Sequence, residues 1–238
     1  MKLKLILAYD GSKFQGSATQ PHKNSVQDHL SSALAHLGIF NQVLFASRTD
    51  KGVHALRNVA SVECGEHFSD LEYLKKQINK FARQHLDIKA IYKVPQSFQP
   101  RFDAKKRAYR YVFNHACFSP FLSPYCTFYP KIDLKKANLA LSLFLGKHNF
   151  GYFQKQSDKN TIKTMFQAKA YAFRHYTIFY FQADGFLRAQ IRLSVAAVLR
   201  VLEGKITLKQ LQDQIEAKSI SSRVLAPANG LYLSSISY

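Results

Sequence analysis

Hydrophobic periodicity runs through one cycle twice along this chain: strand, helix, strand, strand, helix, strand. That repetition restricts the fold more than any other feature. The first pass begins at residues 2–9, where Lys and Leu alternate up to an Asp10-Gly11 turn signal. Ser25 then stands as a helix cap ahead of Val26, Leu30, Ala33, Leu34 and Leu37, which recur at helical spacing as far as Gly38. Short runs at 43–46 and 58–63 are strand candidates. Ser69 with Glu72 three residues on has the form of a capping box, and Leu71, Leu74, Ile78 and Phe81 give the helix behind it an apolar stripe. Residues 88–94 close the pass as a strand.

The second pass starts with a strand at 108–114, and Asp133 caps a helix whose stripe carries Leu141 and Leu145 before Gly146. Strands over about 164–173 and 176–182 are split by Arg174-His175. Leu187, Ile191, Val195, Val198 and Leu202 mark a long amphipathic helix to Gly204, followed by a helix at 208–217 and a last strand at 231–237. The expectation is an α+β chain of two ferredoxin-like βαββαβ halves, forming a mixed, mainly antiparallel sheet flanked by helices. The halves divide into residues 1–103 and 104–238, with two prolines in the linking segment 95–103.

Charge narrows the function. Thirty-four Lys and Arg against fifteen Asp and Glu leave a formal net charge of +19, an imbalance that favours a polyanionic partner. No apolar run approaches the ~20 residues that a membrane helix needs, and the opening segment fits a strand better than a signal peptide. Cys64, Cys117 and Cys126 are odd in number and outside any C-x-x-C spacing, so neither a disulfide framework nor a zinc site is indicated, and the cytoplasm is the expected compartment. Gly-rich phosphate loops, H-E-x-x-H and the dinucleotide fingerprint are absent from the sequence, which leans towards chemistry without metal or cofactor.

Three places could carry that chemistry. In Ala46–Ala55 (ASRTDKGVHA) a lone acid, Asp50, sits between Arg48 and Lys51, with His54 close behind. Asp suits a turn, because its side chain bonds nearby backbone N–H groups. Its cationic neighbours also favour an ionised carboxylate, which is what a nucleophile requires. Both readings stay open on these residues alone. The segment RFDAKKRAYRYVF (101–113) sets Arg101, Lys105, Lys106, Arg107 and Arg110 around Tyr109 and Tyr111. Cations can hold phosphates while a ring stacks on a base, although an edge strand with solvated charges has the same pattern. On a strand the two tyrosines share one face and Arg110 takes the other. Arg188 and Arg192 stand four apart in the predicted helix, side by side, as a solvated basic face or as a pair able to grip a carboxylate or phosphate.

These segments together resemble the bacterial tRNA pseudouridine synthase A family over nearly the whole chain. YDGSKFQG (9–16) is similar to the family's opening motif, SVQDHL (25–30) to its first helix, and SRTDKGVHA (47–55) to its G-R-T-D-A-G-V-H-A signature. RFDAKKRAYRYVF resembles R-F-x-A-x-x-R-x-Y-R-Y, GKHNFGYF (146–153) G-x-H-D-F-x-x-F, FLRAQIR (186–192) F-L-x-x-M-V-R, and APANGLYL (226–233) A-P-x-x-G-L-x-L. The resemblance implies a catalytic cleft in which Asp50 is the nucleophile. Arg192 would pair with its carboxylate, Tyr109 would stack on the target uracil, and Arg48, Tyr109 and Arg192 would make up the substrate-binding set. It implies a cofactor-independent isomerisation of uridine to pseudouridine at positions 38, 39 and 40 of the tRNA anticodon stem-loop, by a cytoplasmic homodimer with no metal and no membrane association. A catalytically silent basic RNA-binding protein on the same fold is the alternative. The chain departs from the family pattern at Ser17-Ala18, where Trp-Gln is usual, at Ser47, at Lys51 and at Arg188-Ala189-Gln190.

Overall fold

Lys2–Tyr9 (β1) buries Leu3, Leu5 and Leu7 completely while its intervening residues are only partly covered, the two-residue period of a strand with one face in the core. The computed structural model describes residues 1–21, 23–155 and 160–238. Within them the chain divides into two compact units, Met1–Lys105 with Tyr232–Tyr238, and Lys106–Leu231.

In the first unit, β1 leads into Val26–Ala35 (α1), Leu44–Phe45 (β2), His54–Glu63 (β3), Leu71–Ala82 (α2) and Leu86–Val94 (β4). β1 pairs antiparallel with β3 on one side and with β4 on the other, and β2 runs antiparallel along β3 at Leu44↔Ser61. The order β4-β1-β3-β2 with two crossing helices is the ferredoxin-like βαββαβ arrangement that the periodicity predicts. α1 begins at Ser25, the expected cap, and there forms a capping box: the Ser25 hydroxyl accepts the Asp28 N–H and the Asp28 carboxylate accepts the Ser25 N–H. α2 begins differently. Asp70, not Ser69, is its cap, accepting from the Tyr73 N–H at 2.9 Å. Its core face is Leu74, Ile78 and Ala82, with Phe81 turned outward against the ring of His36. Asn79, also buried, brackets β4 by donating to Ile88 O and accepting from Ile88 N.

The second unit carries Lys106–Asn114 (β5), Thr127–Phe128 (β6), Leu134–Ser142 (α3), Gly146–Asn149 (β7), Ile162–Phe173 (β8), Tyr176–Ala183 (β9), Gln190–Leu202 (α4) and Leu208–Ile215 (α5). Its strands run in the order β5-β9-β8-β7, all antiparallel, with β6 parallel beside the end of β5. Asp133 caps α3 as predicted, accepting from the N–H groups of Lys135 and Lys136. Leu145, expected on that helix's stripe, lies beyond its end and is exposed. Tyr111, Phe113, Phe144, Phe150, Phe153, Phe179 and Phe181 fill the core of this unit, so its packing is largely aromatic. The chain ends in Leu231–Ser237 (β10), which returns to the first unit and pairs parallel with β3 at Tyr232↔His54 and Leu233↔Ala55. The architecture is therefore α+β, with mixed but mainly antiparallel pairing.

Candidate active site

Asp50 lies on the turn that joins β2 to β3. The Val53 N–H donates to Asp50 O at 3.1 Å, closing four residues, and Gly52 adopts φ +79° at the third of them. A positive φ at that position is the requirement of a type II turn, which glycine meets without steric cost. Asp50 is partly exposed, while Arg48 and Lys51 on either side are exposed.

The turn is clamped on both flanks. On its N-terminal side, Thr49 donates its N–H to the Ser17 Oγ at 2.7 Å, and the Ser17 N–H donates to Thr49 O at 3.0 Å. The Thr49 hydroxyl lies 2.9 Å from the Tyr9 hydroxyl, and Asn58 Nδ2 donates both to that Tyr9 oxygen and to Ser47 O. On its C-terminal side the backbone of Gly11 packs directly against Val53. A Cβ on Gly11 would stand 2.0 Å from Val53 O, so only glycine fits. The Gly11 N–H donates to His54 Nδ1 at 3.1 Å, and His54, almost fully buried, stacks on Tyr232 with ring centroids 4.6 Å apart. Asp10 Oδ1 is 3.4 Å from the same imidazole nitrogen.

Arg48 and Asp50 thus belong to the first unit; Tyr109 and Arg192 belong to the second. Tyr109 stands on β5 with Tyr111 on its buried face, and Arg110 points the other way into solvent, as the strand pattern predicts. Its ring meets Phe186 edge-on at 5.1 Å. Tyr111 is wholly buried, its hydroxyl 2.8 Å from Thr127 Oγ1 and donating to Pro227 O at 2.9 Å. Burial pushes its phenol well above the ordinary value, against the smaller opposing pulls of the Thr127 hydrogen bond and the Arg192 charge.

Arg192 lies in the first turn of α4 and is tied to the segment after α5. Its Nε donates to Ala226 O at 2.7 Å, and the Ala226 N–H donates to Arg192 O at 3.1 Å. The predicted side-by-side pair with Arg188 is not formed by a helix, because α4 starts only at Gln190. Ala189 takes the left-handed conformation, φ 63°, and leaves Arg188 outside the helical register, where four-residue spacing no longer sets neighbours. Arg188 instead accepts the Lys155 N–H on its backbone carbonyl.

Tyr9, Gly11, Ser17, His54 and Asn58 form the support of the Asp50 turn, and of these only His54 stands out by its local spacing from Asp50. The signal available was the YDGSKFQG segment, whose glycines and small residues gather under the turn. Among the described residues there is no group of three or more His, Cys, Asp or Glu side chains placed to hold a metal ion, and no helix long and apolar enough to cross a membrane.

The family profile described as tRNA pseudouridine synthase matches residues 5–103 and 140–238. The chain belongs to this family. It is 58% identical over 240 residues to the tRNA pseudouridine synthase A of Campylobacter jejuni (serotype O:6, strain 81116), a match that covers the whole of both chains. It is 40% identical to the protein of the same name from Wolinella succinogenes, over 99% of this chain and 94% of that one. The corresponding protein of Helicobacter pylori strain J99 is 38% identical, over 99% of this chain and 98% of the relative. Membership makes the chain an isomerase that pseudouridylates tRNA.

Proposed function

We propose that the enzyme converts uridine to pseudouridine at positions 38, 39 and 40 of the anticodon stem-loop, with Asp50 as the nucleophile and Arg48, Tyr109 and Arg192 as substrate-binding residues. The observation that carries this reading is the support of the Asp50 turn. Gly52 and the Val53 N–H give the turn its shape, and Ser17, Tyr9, Asn58 and Gly11 fix its flanks, so the acid is presented at a defined place. Preorganised placement is what a reacting carboxylate needs.

The reaction balances without any donated group. The bond from ribose C1′ to uracil N1 breaks, the ring turns, and C1′ bonds to C5. C5 then gives up its proton and N1 gains one. Asp50 attacks either the uracil ring or C1′ of the ribose, and Tyr109 lies against the base and assists loss of the C5 proton. The target must leave its stack to be reached, which costs a few kcal/mol. Phosphate contacts from a chain of net charge +19 offset that cost. The working form in this reading is a cytoplasmic homodimer.

The deciding experiment is tritium release from unmodified tRNA carrying tritium at uridine C5. Wild type is expected to release the label and Asp50→Asn to bind the tRNA without releasing it. Release by Asp50→Asn at a substantial rate would remove Asp50 from the mechanism. Salt-sensitive binding with no release by wild type would leave a silent RNA-binding protein. Sedimentation showing an active monomer would overturn the dimer.

A further inference from the structure

We infer that Asn58, Tyr9, Thr49 and Ser17 form a buried polar relay that positions Asp50 for reaction, acting through the backbone of its loop and not on the substrate. The inference rests on the reading of Asp50 as nucleophile. Ser17 and Asn58 are 0% exposed, Tyr9 5% and Thr49 8%. Four polar side chains in one buried cluster are costly unless they find partners; Asn58, Tyr9 and Thr49 bond one another, and the Ser17 hydroxyl accepts the Thr49 backbone N–H. Asn58 Nδ2 donates to Tyr9 Oη at 3.2 Å and to Ser47 O at 3.0 Å. Because Tyr9 Oη accepts from Asn58, its own proton can go to Thr49 Oγ1, 2.9 Å away. Ser17 completes the cluster by holding both the N–H and the carbonyl of Thr49. Thr49 is therefore fixed at three points, and Ser47 at a fourth, immediately before Asp50.

Two features of the backbone show the same aim. The register of β1 against β3 shifts between Leu7↔Asn58 and Tyr9↔Ala55, so Ala8 faces two residues, Leu56 and Arg57, both exposed. An extra residue in one strand bends it and re-aims the side chains beside it, and such bulges recur next to active sites. Here the bulge lies between the Leu7↔Asn58 and Tyr9↔Ala55 pairs, beside the Tyr9–Asn58 hydrogen bond. Ser17 is in turn anchored to α1, whose first residues Val26 and Gln27 donate to Gly16 O and Ser17 O. The relay thus connects the loop to a helix and to two strands.

The test uses full-length protein and C5-tritiated tRNA, with Tyr9→Phe as the main variant because it deletes one oxygen and keeps the ring. Its kcat is expected to fall about ten- to a hundredfold, the cost of a misplacement near 1 Å, with KM and tRNA affinity unchanged. A purely structural role would lower the melting temperature and leave kcat intact well below it. Thr49→Val removes the hydroxyl at constant shape and should lose kcat likewise, and Thr49→Ser should restore it. This pair also decides the matter if Tyr9→Phe does not fold. Wild-type kcat in both Tyr9→Phe and Thr49→Val would overturn the relay. If Asp50→Asn is inactive in the same assay, that failure is the relay's alone. An active Asp50→Asn would instead remove the nucleophile on which the inference rests.

Discussion

Gly11→Ala tests how closely the Asp50 turn is supported from below. The added Cβ would stand 2.0 Å from Val53 O, 2.3 Å from Val53 C and 2.9 Å from His54 N, all of them backbone atoms. No side chain can rotate away to absorb the methyl group. Restoring an ordinary 3.4 Å contact from 2.0 Å requires about 1.4 Å of backbone movement at the residue closing the turn. Overpacking a well-filled site costs about 1–3 kcal/mol even where side chains can give. A backbone collision belongs at or above the upper end, and at about 2–4 °C per kcal/mol for a chain of this length the melting temperature should fall by roughly 6–12 °C. Displacement on that scale beside Asp50, the proposed nucleophile, should also lower kcat by about a hundredfold. Calorimetry gives the first quantity, and single-turnover tritium release at low temperature gives the second per folded molecule. A Gly11→Ala protein that melts with wild type would refute the close approach. One that melts early but keeps wild-type kcat would refute the link between this contact and the placement of Asp50.

Two further predictions follow from groups that hold the surrounding elements. Burial pushes the Asp28 carboxyl upward, but hydrogen bonds from the Ser25 hydroxyl, the Thr19 hydroxyl and the Ser25 N–H outweigh it and hold the group below its ordinary value of 3.8. A lowered folded-state value stabilises the protein above pH 3.8 and loses that contribution as pH falls through the folded value, so wild type should lose the contribution of the Asp28 carboxylate only in acid. Asp28→Asn should be less stable than wild type at neutral pH, with the gap closing in acid; a gap independent of pH by thermal melting would refute the assignment. Arg192→Ala removes the 2.7 Å bond to Ala226 O and should cost about 1–3 kcal/mol of stability together with activity, whereas an unaltered rate and melting temperature would show that neither role exists.

What the sequence made legible is what short-range physics decides. Ser25 and Asp133 cap their helices as predicted because an oxygen at the right offset meets an unpaired N–H whatever the tertiary context. The last strand, Leu231–Ser237, has the predicted bounds. The errors arise where two local options were equally good, or where local signals do not apply. Ser69 and Asp70 are both able to cap α2, and only the path of the chain selects Asp70. Leu187 fits the stripe of α4, yet the helix begins after Ala189, and alanine gives no warning of a left-handed conformation. The sequence pattern starts β3 only near residue 58, because the bulge exposes Leu56 and Arg57 in succession and so hides the alternation that would carry the strand back to His54. The cluster around Thr49 joins residues 9, 17, 49 and 58, separations over which no periodicity operates.

That cluster bears on the ambiguity of a lone acid in a turn. Asp is a common turn residue, and a surface turn needs little more than a glycine and one hydrogen bond; such loops are ordinarily mobile and tolerant of change. The turn at Asp50 has both of those and a great deal besides: Ser17 on two backbone atoms of Thr49, Tyr9 on its hydroxyl, Asn58 on Ser47, and Gly11 against Val53. Several of these supports are buried polar groups, which cores tend to avoid because their stability contribution is small and the cost of a missing partner is large. A fold that only had to turn a corner would gain by replacing them with apolar side chains. Their presence makes sense if the position of Asp50 must hold to a fraction of an ångström, which is a requirement of chemistry and not of chain reversal.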